Sequence, residues 1–201
     1  MPNPSDRSTG VESPHRRRLL RQALGLCAAV GATTAGALAA LPAQAAVTEV
    51  AAGRKPRILR FVHTHTGETL TAPYFDGAGY RADSLDQVNL LLRDFRTGES
   101  HVIDPALLDI LYELQVQADR DTTFEVISGY RSPATNAMLH SRSSGVAEHS
   151  QHLLGKAIDI RLTGFPTRRL GEYARSLARG GVGYYAASDF VHVDTGPVRT
   201  W

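Results

Sequence analysis

The chain has 201 residues, 42% of them hydrophobic and 21% charged, with 22 Lys and Arg against 20 Asp and Glu. That is ordinary globular composition for one or two domains, and it excludes a collagen-like chain, a coiled coil and wholesale disorder. A single cysteine excludes a disulfide scaffold. The charge distribution removes the case for nucleic acid: residues 1–45 carry five Arg against Asp6 and Glu12, leaving 17 basic and 18 acidic residues for the rest.

Residues 1–45 read as an export signal. The run His15-Arg16-Arg17-Arg18-Leu19-Leu20-Arg21 resembles the bacterial twin-arginine signal. A weakly apolar stretch over residues 23–41 follows, and Ala43-Gln44-Ala45 has the small residues of a cleavage site. An uncleaved membrane anchor is the alternative, since the length allows a span. Cys27 lies inside the signal, so the exported chain would hold no cysteine. The expected location is the periplasm or cell envelope, with membrane contact only through the signal before cleavage. Residues 46–56 read as a flexible leader, and residues 57–201 as one domain, expected to act as a monomer.

Within that domain, residues 58–65 read as a strand, Thr66-Gly67 as a turn and residues 68–75 as the return strand of a hairpin. His63 and His65 are expected on its solvated face. Asp83 or Ser84 can cap a helix running to about Phe95, with Leu85, Val88, Leu92 and Phe95 on one face. Asp104-Pro105 starts a second helix, with Pro in its first turn. Residues 124–128 form a short β-prone run. Residues 132–139 read as helix, 141–150 as a polar loop, 157–161 as a strand, and 166–179 as a helix broken by Gly180 and Gly181. Strands over 182–185 and 190–193 close the chain. Helices early and strands late argue α+β. The expected architecture is a small antiparallel sheet carrying the site, with helices packed on one face.

Two segments carry the chemistry. In His152-Leu153-Leu154-Gly155-Lys156-Ala157-Ile158-Asp159, the carboxylate sits between apolar strand neighbours, which is costly unless it is paired or bound to metal. Gly155 lets the chain turn so that His152 returns towards Asp159. In Phe190-Val191-His192-Val193-Asp194, His192 and Asp194 share one strand face. Two His and one Asp suit three ligands to zinc with a fourth position open, and a nearby carboxylate, Asp189 or Asp194, can move a proton. The same spacing also suits a structural hydrogen-bonding cluster. No Gly-x-Ser-x-Gly elbow is present.

Ser128-Gly129-Tyr130-Arg131-Ser132, His152-x6-Asp159 and Asp189-Phe190-Val191-His192 resemble the signature blocks of the zinc D-Ala-D-Ala metallopeptidase superfamily, the group that includes lysostaphin and hedgehog domains. Phe75-Asp76-Gly77, Gly180-Gly181-Val182-Gly183-Tyr184-Tyr185 and Phe190-Val191-His192-Val193-Asp194-Thr195-Gly196-Pro197 are similar to its exported, murein endopeptidase K-like branch. The resemblance implies one Zn2+ per chain on His152, Asp159 and His192, and hydrolysis of the peptide cross-links of peptidoglycan. It implies that Arg131 meets a substrate carboxylate or the oxyanion. Tyr130 and Gln151 are further substrate-side candidates. For the proton acceptor, Asp189 is favoured over Asp194. A D-Ala-D-Ala carboxypeptidase, or a non-catalytic zinc-stapled wall-binding module, are the competing readings.

Overall fold

The computed structural model describes residues 55–201 other than 120 and 144. The expected signal and most of the expected leader therefore lie outside the described residues. Seven strands, β1 (Arg57–His63), β2 (Thr69–Phe75), β3 (Thr123–Ser128), β4 (Ala157–Leu162), β5 (Gly181–Tyr185), β6 (Phe190–Asp194) and β7 (Arg199–Thr200), form one sheet in the order β2-β1-β3-β4-β6-β5-β7. Among the described residues four α-helices accompany it: α1 (Ala82–Leu91), α2 (Pro105–Gln117), α3 (Pro133–Arg142) and α4 (Thr167–Leu177).

The sheet is larger than the small antiparallel one expected, and it is mixed. β1 pairs parallel to β3, and β7 parallel to β5; the other pairings are antiparallel. The cause of the first is topological. The hairpin brings the chain back to the end of the sheet where β1 began, and after α1 and α2 the chain enters β3 from that same end, so β3 runs in the sense of β1 and opposite to β2. β7 is two residues long, too short for any alternation to announce it.

Local chemistry sets the helix ends. Asp104 caps α2 by accepting the Ala106 N–H at 3.0 Å, with Pro105 in the first turn. Ser132 caps α3 by accepting the Thr135 N–H at 3.3 Å. α1 stops at Leu91 rather than near Phe95, because the next residues are used elsewhere. The Leu92 carbonyl accepts the Tyr130 N–H at 2.7 Å, and Asp94 accepts the Ser132 N–H at 2.9 Å. α4 ends where Ala178 turns left-handed at φ 50°.

One core runs under the sheet. Leu107, Leu108, Leu111 and Leu114 of α2 and Leu170 of α4 join Phe61, Phe124, Ile158, Ile160, Val191 and Val193 in a single buried cluster. Side chains alternate along a strand. With Ile158, Ile160, Val191 and Val193 in that core, Asp159, His192 and Asp194 project from the opposite face. The core thus fixes the direction in which the polar residues of β4 and β6 point.

Candidate metal and substrate site

Register brings the first two candidate ligands together. In the β4–β6 ladder Asp159 stands opposite His192, and Ala157 opposite Asp194. The third comes from a short 3-10 helix, Gln151–Leu154. Ser150 caps it by accepting the His152 N–H at 3.3 Å. Gly155 closes it at φ 64°, where a Cβ would lie 2.2 Å from the Val102 carbonyl oxygen. Only glycine suits both the dihedral and the space.

The three side chains are buried, at 2% exposure for His152, 6% for Asp159 and 7% for His192. One ligand atom from each lies within 4.8 Å of the others. His152 Nε2 is 3.2 Å from His192 Nδ1, and Asp159 Oδ1 is 2.9 Å from His192 Nδ1 and 3.3 Å from His152 Nε2.

The outer nitrogens dictate what the inner ones present. His152 Nδ1 faces the Gly129 carbonyl oxygen at 2.7 Å, and His192 Nε2 faces Asp194 Oδ2 at 2.9 Å. Both partners only accept, so each outer nitrogen carries a proton, and in its neutral form each ring then turns a lone pair inward. Two imidazole lone pairs and a carboxylate oxygen meeting in one buried place fit a divalent cation of zinc's preferences.

The electrostatics separate the two rings. Burial pulls His152 down, outweighing the opposing pull of Asp159, so its ring stays neutral. Burial also opposes charge on His192, but the hydrogen bonds and charges of Asp159 and Asp194 prevail and raise it to about 9. Asp159 is held below the usual carboxylate range: burial raises it, and the two His outweigh burial. That negative charge favours a proton on His192 Nδ1 beside Asp159, the position a bound cation would take in its stead.

Asp194 is fully buried and saturated. Besides His192 it accepts the Gly181 N–H at 3.1 Å, the Gly196 N–H at 2.8 Å, and Arg199 Nη1 and Nη2 at 3.0 and 2.7 Å. It sits on the outer nitrogen of His192, away from the ligand cluster. Asp189 lies apart as well. Its side chain is 61% exposed and 3.6 Å from Arg161 Nη1, in a hollow with Glu125 and Thr167.

A cleft of about 460 Å³ opens over the three ligands. Arg131, Gln151, His149, Tyr185, Arg199 and Trp201 are among its lining side chains, and Asp159 is the one acidic side chain lining it among the described residues. Arg131 is 8% exposed, with Nη1 donating to Asn136 Oδ1 at 3.3 Å and Nη2 3.8 Å from Asp159 Oδ2. Gln151 is brought to the cleft as expected. Tyr130 is not: it is 8% exposed, stacked on His101 at 4.9 Å, and absent from the cleft wall. His63 is 1% exposed and edge-on to Phe95, not solvated as expected, while His65 is exposed and stacks on Phe95 at 4.2 Å.

Sequence reasoning missed three supports. Asn136 holds Arg131 with its Oδ1 and donates from Nδ2 to the Ala147 and Glu148 carbonyls, both at 3.1 Å, tying the cleft wall to α3. Asp94 anchors the Arg131–Ser132 segment; it is buried, but hydrogen bonds from Thr135, Ser132 and Arg96 outweigh the desolvation and lower it to about 2. Arg199 clamps Asp194. None sits in a spacing pattern with the ligands, so no local signal marked them.

Residues 51–201 match the family described as "Peptidoglycan L,D-endopeptidase MepK". The chain belongs to that family. It is 47% identical over 148 residues, 73% of this chain and 80% of the relative, to the "Probable peptidoglycan L,D-endopeptidase MepK" of Haemophilus influenzae. It is 42% identical over 187 residues, 93% of this chain and 97% of the relative, to the "Peptidoglycan L,D-endopeptidase MepK" of Escherichia coli strain K12, and equally to that of Shigella flexneri. No solved structure matches the chain.

Proposed function

We propose that this protein is a zinc-dependent peptidoglycan L,D-endopeptidase that opens peptide cross-links of the cell wall. The observation that carries the reading is the convergence of two imidazole lone pairs and the Asp159 carboxylate at the base of a cleft lined by Arg131. The names of the relatives supply the substrate class and the L,D bond.

His152, Asp159 and His192 would hold the ion. Zinc there supplies Lewis-acid polarisation of the scissile carbonyl and of the attacking water. Arg131, whose Nε has no hydrogen-bond partner among the described residues, has donors to spare for a substrate carboxylate or the oxyanion. Gln151 offers an amide to the peptide beside the ligands. Asp194 keeps the proton on His192 Nε2 and so directs Nδ1 inward. Asp189 is the proton acceptor in this proposal, reached by leaving Arg161. An exposed ion pair is worth only about 0–1 kcal/mol, so that move is inexpensive.

We further propose export by the twin-arginine route on residues 1–45, removal of that segment, and action as a monomer in the periplasm or envelope. No helix among the described residues is long and apolar enough to cross a membrane.

The test uses purified protein and intact peptidoglycan, with and without chelator, and identifies the released fragments by mass. Loss of cross-linked dimers, blocked by chelator and restored by zinc, is the expected result. His152→Ala should lose both zinc retention and cleavage. Full cleavage by that variant would overturn the ligand assignment, and release of a terminal D-Ala alone would overturn the endopeptidase reading.

A further inference from the structure

Trp201 is the single tryptophan of the chain. It is 49% exposed, yet it is held from several sides. Its main chain continues the β5–β7 pairing: Trp201 N–H donates to the Val182 carbonyl at 3.2 Å, and Tyr184 N–H donates to the Trp201 carbonyl at 3.3 Å. The indole Nε1 donates to Tyr185 Oη at 2.8 Å. The Arg199 guanidinium carbon lies 5.0 Å from the ring centre. The ring is 5.3 Å from the His192 imidazole, centre to centre, and it lines the cleft.

β5 is bare where this segment lies on it. A Cβ on Gly183 would come 2.6 Å from the indole ring, and one on Gly181 would come 2.4 Å from Arg199 Nη1. The fold thus leaves space for a tryptophan beside a ligand histidine and orients its polar edge, but it does not bury the ring. Next to it, Tyr185 and Phe190 stack at 4.6 Å and also line the cleft. An aromatic used only for packing would bury its faces. A half-exposed one, locked in orientation at the mouth of a cleft, is a prepaid contact surface for a ligand.

We propose that Trp201 is a substrate-contacting residue, a fixed aromatic wall on which the peptide stem packs beside the metal ligands. The stem's carboxylates would face the basic side chains of the same cleft, where Asp159 is the one acidic side chain among the described lining residues. This proposal rests on the peptidase reading and adds a specificity determinant to it.

Because the chain has one tryptophan, its emission reports on this wall directly. The probe is the disaccharide tetrapeptide released from peptidoglycan by a muramidase, titrated into the zinc-loaded protein. A saturable shift in emission is expected. Trp201→Ala should raise KM about three- to tenfold, with kcat and zinc content held, and Trp201→Phe should recover most of the loss. Gly183→Ala, which displaces the ring without removing it, should mimic Trp201→Ala. Unchanged KM in Trp201→Ala, or emission that ignores the peptide, overturns the proposal. Should Trp201→Ala fail to fold, the Phe variant and the emission titration decide. If the wild type cleaves no cross-links, the peptidase reading fails, and the titration still shows whether the wall holds a peptide.

Discussion

His192 stands between two carboxylates, and the nitrogen each one takes decides its role. Asp159 lies 2.9 Å from Nδ1, on the inner side, and Asp194 lies 2.9 Å from Nε2, on the outer side. Spacing along the sequence marked both as candidates for chemistry at the metal, but only one can reach the ligand cluster. The two aspartates offered for proton transfer therefore separate experimentally. Asp194→Asn should weaken zinc affinity about 10- to 100-fold, because it loosens a ligand's orientation. Asp189→Asn should retain zinc and lower kcat about a hundredfold or more, as loss of a general base does. Zinc titration alongside single-turnover kinetics reads both. Unaltered kcat in Asp189→Asn would remove that residue from the reaction.

At the scale of the element, the short helix Gln151–Leu154 is the least regular part of the site, and it is the part that delivers His152. Its geometry depends on Gly155. Gly98 also has a positive φ, at 77°, but a Cβ there would meet open space, whereas at Gly155 it would meet the Val102 carbonyl. Gly98→Ala should thus cost only the dihedral strain, about 1 kcal/mol. Gly155→Ala should cost more, about 2–3 kcal/mol, and should also weaken zinc binding, since the turn sets His152. Denaturant melts and metal titration of the two variants make the comparison. Equal costs with unchanged zinc affinity would show that the turn does not set the ligand.

Across the whole molecule, the cluster joins β4, β6 and the short helix; the two strands carry core residues on their other face, and the short helix packs against β4. A ligand that binds only the folded state stabilises it by mass action, by about 2.7 kcal/mol at a hundredfold excess over Kd. For a domain of this size that is a rise in Tm of about 5–10 °C. Chelation should reverse the rise, and His152→Ala should show no response to zinc. A melting temperature indifferent to zinc in the wild type would contradict the three-ligand site.

Sequence alone determined the elements with long apolar patterns or clear caps: α2 from Asp104-Pro105 and its leucines, β4 from Ala157 to Arg161, β6 around His192. It also marked His152, Asp159 and His192 as candidates: the local patterns allowed either a metal or a hydrogen-bonded cluster, the resemblance implied the metal, and the fold brings the three together. Tertiary structure alone decided the size and mixed sense of the sheet, since parallel pairing of β1 with β3 follows from the path of the chain between them and not from either strand. It decided that His63 is buried, because Phe95 and its neighbours close over that face. It separated Asp189 from Asp194, which both lie close to His192 in the chain but in different directions in space. It also recruited Asp94, Asn136, Arg199 and Trp201. Their contacts with the site run across strands and loops, and a periodicity of two or 3.6 residues carries no information about a neighbour that distant along the chain.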